Sequence, residues 1–249
     1  MDIASFIAGL EAGAGNGGSG VLDSVLDRSI KELVSNATSL MPYALYQCKA
    51  LTSVYLPEAT SIGTRALSEC EALTSVHLPK ATSIGDYALY NCKALTNYHI
   101  PEATSIGTRG FMGCSALTDV NFPKVTTLGS NAFSGCSLLT TAYFTNVNSI
   151  KPYTFNNCYS LRSLVLASTS VCQMEDRTPL GNCYHLLGEV NPTYNPNGDK
   201  DGYVYVPSAL IESYKAAPFW EDYSALQFRA LEDYTVDGTI TGELDPNKI

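Results

Sequence analysis

The sequence lacks the marks of several protein classes. Its 249 residues contain no apolar run long enough to span a membrane. Lys and Arg number 15 against 24 Asp and Glu, a formal net charge of −9, so a surface for nucleic acid is not expected. No basic residue precedes the short apolar stretch near the start, which argues against a signal peptide. Dinucleotide, P-loop, serine-elbow and zinc-protease motifs do not occur, and we therefore expect no enzyme, cofactor or metal site.

Most of the eight cysteines follow a strict spacing. Six of them lie 22 residues apart: Cys48, Cys70, Cys92, Cys114, Cys136 and Cys158. If successive copies stack as strands about 4.8 Å apart, neighbouring thiols would be within disulfide reach. Parallel side chains suit a packed column better than a bridge, so we predict one buried, reduced thiol per copy.

The cysteines belong to a repeat of 22 residues. Residues 48–69 and 70–91 are nearly identical, and the unit reads C-x-A-L-T-S-V-x-L-P-x-A-T-S-I-G-x-x-A-L/F-x-x. One copy cannot bury its apolar residues alone, but stacked copies cover one another, which predicts a β-rich solenoid. The alternation in "LTSVYL" predicts one strand per copy. Gly63 and its equivalents are predicted to supply a backbone angle that other residues resist.

The stretch "LTSVHLPKATSIGDYALYNCKAL" resembles the bacterial BspA-type leucine-rich repeat, L-x-x-I-x-L-P-x-x-V-x-x-I-G-x-x-A-F-x-x-C-x-x-L. The resemblance covers about residues 29–190. It implies a right-handed horseshoe with a parallel sheet on its concave face. It also implies a role in adhesion or protein binding, commonly at the bacterial cell surface.

The repeats divide the chain into five predicted segments. These are a short amphipathic helix (1–12), a glycine-rich linker (13–20), the leucine-rich repeat array (21–190), a C-terminal cap with a short helix (191–228) and a peripheral tail (229–249). The helix has one apolar stripe, formed by Ile3, Phe6, Ile7 and Leu10. It is too short to be stable alone in water, so it folds back on the repeats or docks on a larger assembly; both interpretations remain open.

One column of the predicted sheet varies while the core columns stay constant. Its outward positions, with their neighbours, are Tyr55, His77, His99, Asn121, Tyr143, Ser75, Asn97 and Asp119. Aromatic and amide groups on a rigid sheet favour a protein or carbohydrate partner. The alternatives are that Tyr and His merely suit strands, or that the repeats act as a spacer or decoration in a phage virion or tail. The predicted location is accordingly a cell surface or a virion.

Three other features carry weaker expectations. His185, near the cap, has no partner that the sequence identifies. Residues 197–202, "NGDKDG", imitate the start of a calcium loop but lack its final glutamate, which favours a solvated turn. Charges alternate from one copy to the next at Glu58, Lys80, Glu102 and Lys124, which predicts attractive pairs between stacked copies.

Overall fold

A computed structural model of the chain describes residues 30–240 apart from 177, 188–190, 194, 196, 199, 224–225, 234 and 237–238. Within that part the predicted parallel solenoid is confirmed. Each copy of the repeat forms one rung, with a strand on each of two sides and a run of turns on the third. The predicted helix at 1–12 and its linker lie outside the described residues.

Two sheets lie on the first side of the solenoid, and every strand pair in them is parallel. One sheet contains β1 (Glu32–Val34), β2 (Ser53–Tyr55), β4 (Ser75–His77) and β6 (Asn97–His99). The other contains β8 (Asp119–Asn121), β10 (Thr141–Phe144), β12 (Ser163–Leu166), β14 (Tyr203–Val206) and β15 (Phe228–Ala230). We call them the N-terminal sheet and the C-terminal sheet.

The second side holds one parallel sheet without interruption. Its strands are β3 (Ser61–Ile62), β5 (Ser83–Ile84), β7 (Ser105–Ile106), β9 (Thr127–Leu128), β11 (Ser149–Ile150) and β13 (Gln173–Met174). Equivalent residues pair in register, as Ile62 does with Ile84. The solenoid therefore stays stacked on this side where the sheet on the first side is broken.

The core fills the space between the sides in columns that run along the solenoid. The leucines at six equivalent positions are fully buried: Leu51, Leu73, Leu95, Leu117, Leu139 and Leu161. Phe111, Phe133 and Phe155 stack on one another with ring centroids 5.4 and 5.8 Å apart. Because each side chain contacts its equivalent in the next rung, the constant letters of the repeat are those that make the copies stack.

The repeat cysteines are free and buried, and the five from Cys70 to Cys158 each donate a hydrogen bond that the spacing did not predict. The thiol of Cys92 donates to the carbonyl oxygen of Leu67 at 3.1 Å, and that of Cys114 donates to Leu89 at 3.2 Å. Burial raises the pKa of these thiols, to about 12 for Cys70 and Cys136. The side chain thus fills space and also satisfies an inward carbonyl.

The sequence predicts that Gly63 and its equivalents are needed for an unusual backbone angle, and this reason is wrong. Positive φ angles among the described glycines occur at Gly113, Gly135 and Gly198, not at Gly63. A Cβ on Gly63 would instead lie 2.6 Å from the backbone nitrogen of Pro42 and 2.7 Å from the oxygen of Leu40. Glycine is needed there because the preceding rung approaches too closely for any side chain.

The left-handed angles lie on the third side, where the chain turns twice in each rung. The first of these two positions is occupied by Tyr43, Arg65, Tyr87, Arg109, Asn131 and Tyr153, with φ between 55 and 61°. Non-glycine residues seldom adopt this conformation, which costs of the order of 1 kcal/mol or more each. Backbone hydrogen bonds to the next rung, such as Arg65 N–H to Asp86 O at 2.9 Å, hold these residues in the left-handed conformation.

The C-terminal end is closed by the predicted cap. Helices α1 (Tyr184–Leu187) and α2 (Ile211–Lys215) lie there, the second preceded by a 3₁₀ turn at Ser208–Leu210. Trp220 is buried, and its indole N–H donates to the carbonyl of Cys172 at 2.7 Å. Strand β15 extends the ladder to residue 230, so the predicted boundary at 228 falls inside a strand. Beyond it, β16 (Thr235–Val236) and β17 (Thr239–Ile240) form an antiparallel pair.

Candidate interaction surface

Three rings of the predicted column stack along the N-terminal sheet. Tyr55 pairs in register with His77, and His77 with His99. Both pairs of ring centroids are 4.7 Å apart, and the ring planes differ by 11 and 13°. The parallel register produces this arrangement because it places each side chain directly above its equivalent. We call these three residues the ring column.

The ring column is exposed but partly desolvated by its own stacking. Tyr55 is 44% exposed, while His77, between the other two rings, is half-buried. Burial lowers the pKa of His77 below its ordinary 6.5, and the neighbouring His99 lowers it further. His77 is therefore a neutral imidazole at physiological pH, able to donate from one ring nitrogen and accept at the other.

Two more predicted residues lie beside the ring column on the same face. Ser75 is half-buried and Asn97 is exposed, and the two are paired in register on β4 and β6. The structure therefore brings five of the eight predicted residues together on the N-terminal sheet: Tyr55, His77, His99, Ser75 and Asn97. This patch is polar and aromatic, as predicted.

The remaining three predicted residues, Asp119, Asn121 and Tyr143, lie beyond a break in the sheet. No strand-to-strand ladder joins β6 to β8 among the described residues. Tyr98 stands where the rungs on either side have Val76 and Val120, and its ring packs on Phe122 with centroids 5.0 Å apart. The backbone N–H of Asn121 donates to the Tyr98 hydroxyl at 2.5 Å instead of to a strand carbonyl. Asp119 is exposed beyond this break, and the buried Oδ1 of Asn121 has no hydrogen-bond partner.

The expectation of an exposed Tyr143 is wrong. Its side chain is 5% exposed and packs with the fully buried Val165 in a second small apolar cluster. Leu231, from the segment after β15, packs against this cluster together with Tyr205. Burial raises the pKa of Tyr143. The chain itself therefore covers the outward column at Tyr143 and Val165.

His185 has partners that the sequence did not indicate. Its Nδ1 lies 2.7 Å from Asp201 Oδ1, and its Nε2 lies 3.1 Å from Nη2 of Arg162. Arg162 Nε donates to the other Asp201 oxygen at 3.0 Å. Since arginine only donates, Nε2 accepts and Nδ1 carries the proton. Asp201, part of the calcium-like "NGDKDG", thus ties the last rungs to the cap.

The described residues contain no cluster of three or more His, Cys, Asp or Glu with the geometry of a metal site. In the same part of the chain, no helix has the length and apolar character needed to cross a membrane.

The chain is similar to several solved structures of repeat proteins. No curated protein sequence matches the chain. Solved structures that are similar include a leucine-rich repeat protein of T. pallidum (26% identity, TM-score 0.48, 56% of this chain and 66% of that one). Others are the pneumococcal vaccine antigen PcpA (14%, 0.44, 80% and 40%) and a leucine-rich repeat protein of Bacteroides ovatus (17%, 0.44, 82% and 70%). The chain thus spans just under two thirds of the first structure's length and 40% of the second's.

The repeat itself identifies the family. The sequence profile of the BspA type leucine rich repeat region matches six copies over residues 38–162, half of the chain. The matched range includes β2 to β11 and the whole ring column. The chain belongs to the BspA-type leucine-rich repeat family.

Proposed function

We propose that this protein is a non-enzymatic interaction module that binds a protein or carbohydrate partner through the ring column. Leucine-rich repeat proteins commonly serve as interaction modules. The observation that carries the proposal is the exposed stack of Tyr55, His77 and His99 on a sheet whose core-facing residues Leu33, Val54 and Val76 are buried and aliphatic. In this arrangement the buried residues form a constant scaffold, and the accessible surface residues vary from rung to rung.

Stacking determines what the ring column can recognise. Both faces of His77 and the inner faces of Tyr55 and His99 are occupied by stacking, so the rings mainly present their edges to a partner, with a phenolic hydroxyl and imidazole nitrogens. These groups repeat at 4.7 Å and are held by the sheet, so little side-chain entropy remains to be lost on binding. Such a row suits partners rich in hydrogen-bonding groups.

The surface has a defined extent. On one side, Val34 pairs in register with Tyr55 and is 64% exposed, which adds an apolar edge to the polar row. On the other side, the break at Tyr98 separates Asn97 from Asp119. The partner's footprint is therefore the four strands of the N-terminal sheet, and the covered positions Tyr143 and Val165 of the C-terminal sheet take no part.

A displayed peptide library and a glycan array, both probed with the labelled full chain, test the proposal. We expect a binder whose affinity falls at least tenfold when Tyr55, His77 and His99 are all changed to Ser, with an unchanged melting temperature. Tyr153→Ser is the matched control, since Tyr153 is also 44% exposed but lies on the third side. Binding that survives the triple change, or no binder in either collection, contradicts the proposal.

A further inference from the structure

A second ladder of side chains runs along the third side of the solenoid, away from the ring column. Tyr43, Arg65, Tyr87 and Arg109 occupy the same left-handed position of four successive rungs. The guanidinium carbon of Arg65 lies 4.3 Å from the ring centroid of Tyr87 and 6.0 Å from that of Tyr43. That of Arg109 lies 5.2 Å from the Tyr87 ring. We call these four residues the Tyr/Arg ladder.

The two arginines of the ladder have no carboxylate partner among the described residues. Lysines of the same rungs each pair with a neighbour, as Lys80 does with Glu58 at 2.6 Å and Lys124 with Glu102 at 2.6 Å. Neither Arg65 nor Arg109 forms an ion pair within the described part of the chain. The chain has 24 acidic residues, and none of those described neutralises either guanidinium group by direct contact.

Their hydrogen-bonding capacity is also incompletely used. Arg109 donates from Nη1 to the hydroxyl of Tyr87, but its buried Nε has no acceptor. Asp86, the nearest acid in sequence to Tyr87, accepts the Thr108 N–H at its Oδ1 at 2.7 Å. Guanidinium groups bind carboxylates as planar forks, and the tyrosine rings hold these two in orientation.

The spacing of the ladder selects the shape of the ligand. Arg65 and Arg109 are two rungs apart, which is about 9.5 Å at the usual strand separation. A polyproline II helix rises about 3.1 Å per residue with three residues per turn, so acids at every third position lie on one face about 9.3 Å apart. Acids on one face of an extended β-strand are separated by multiples of about 6.7 Å, which does not fit.

We propose that the Tyr/Arg ladder binds an acidic, proline-rich segment of a partner protein in the polyproline II conformation. Carboxylates three residues apart pair with Arg65 and Arg109. The prolines between these two carboxylates pack on the accessible edge of Tyr87, and prolines before the first carboxylate pack on Tyr43, which is 52% exposed. Aromatic side chains are the usual surface for such helices, because prolines lose little entropy when they dock. This surface is independent of the ring column.

The probe is a fluorescein-labelled peptide of five Glu-Pro-Pro units, titrated with the full chain and followed by fluorescence anisotropy. Lys-Pro-Pro and Glu-Gly-Ser peptides of the same length are the controls for charge and for conformation. We expect saturable binding of the Glu-Pro-Pro peptide alone, weakened by high salt. No binding, or equal binding of the Glu-Gly-Ser peptide, overturns the proposal.

Variants assign the binding to the ladder. Arg65→Asn with Arg109→Asn is expected to reduce affinity at least tenfold, and Tyr43→Asn with Tyr87→Asn likewise. Asparagine is compatible with the backbone because Asn131 occupies the same position two residues after Gly129, with φ of 59°. The Ser variants of the ring column are expected to bind the peptide normally. Unchanged binding by the double arginine variant contradicts the assignment.

A polyanion that is not a peptide distinguishes a protein partner from an acidic polysaccharide. Polygalacturonate is titrated as a competitor against the labelled peptide. If it binds the chain while the Glu-Pro-Pro peptide does not, the ladder is a site for acidic polysaccharides and the proposed protein partner is wrong. If polygalacturonate displaces the labelled peptide only at ionic strengths that already weaken the binding of the peptide, the result supports the peptide as the ligand that fits the ladder.

Discussion

The hydroxyl of Tyr98 accepts the backbone N–H of Asn121 at 2.5 Å, at the point where the sheet on the first side is broken. In the rungs before it the same strand position is Val54 or Val76, and the ladder is continuous. Tyr98 is therefore a side chain that replaces a strand-to-strand hydrogen bond. Burial raises its pKa, so the hydroxyl keeps its proton at all ordinary pH values.

Tyr98→Phe is expected to destabilise the protein by about 1–3 kcal/mol, because it leaves the Asn121 N–H without an acceptor. Chemical denaturation measures the loss, and the Asn121 amide should exchange faster with solvent. Tyr153→Phe, at an exposed tyrosine, is the control. If Tyr98→Phe leaves the free energy of unfolding unchanged, β6 and β8 pair without the hydroxyl.

Two tyrosines of one column offer a matched comparison. Tyr143→Ser is expected to cost about 3 kcal/mol, because it empties space under Leu231 beside Val165. Tyr55→Ser, at a position 44% exposed, is expected to cost less than about 1 kcal/mol. Thermal unfolding of both variants measures the difference. Equal losses would mean that Leu231 does not cover Tyr143 in solution.

The stacking of the rungs was predictable from the sequence, since the periodic residues define it. Leu51 and its equivalents must be inside because nothing else in a 22-residue copy can fill the core. The period also places Tyr55, His77 and His99 in one column. These conclusions need only local spacing.

Contacts between distant segments were not predictable in this way. Tyr143 obeys the same period as Tyr55, but Leu231, almost 90 residues later, decides that it is buried. Asp201, one of the two partners of His185, lies 16 residues away in a loop whose sequence predicts a solvated turn. The demand for Gly63 depends on how closely the preceding rung approaches, which the repeat alone does not measure.

The cysteines provide a chemical test of the packed column. All eight are buried and free, and a thiolate-dependent reagent at pH 8 is expected to label none of them in the folded state. Burial holds the pKa of Cys70 and Cys136 at about 12, so the reactive thiolate is scarce. Denaturation without reductant should release eight thiols. Fewer than eight would reveal disulfides between rungs.

The predicted alternation of charges brings opposite charges together on neighbouring rungs, with Lys80 Nζ 2.6 Å from Glu58 Oε2. Lys80→Glu places an acid between Glu58 and Glu102 and is expected to destabilise the array by up to about 1 kcal/mol at low salt. Both side chains of the pair are about half exposed, so 0.5 M salt should remove most of the effect. Lys80→Gln, which removes the pair without repulsion, should cost less. A loss independent of salt would show that the cause is not electrostatic.

The contacts of Asp201 predict a dependence of stability on pH. Burial alone would raise the pKa of this carboxyl, but hydrogen bonds from Arg162 and His185 outweigh it and hold the pKa below its ordinary 3.8. A lowered folded pKa contributes stability that is fully present above about pH 4 and is lost as the pH falls through the folded value.

We therefore expect Asp201→Asn to lower the melting temperature at pH 7, and the difference from wild type to shrink as the pH falls below about 4 and the wild-type carboxyl takes up its proton. Asp119→Asn is the matched control, since Asp119 is exposed and asparagine already occupies the equivalent position at Asn97. It should change little at either pH. A difference for Asp201→Asn that stays constant down to pH 2 would mean that shape, and not the charge shared with Arg162 and His185, ties the cap to the last rungs.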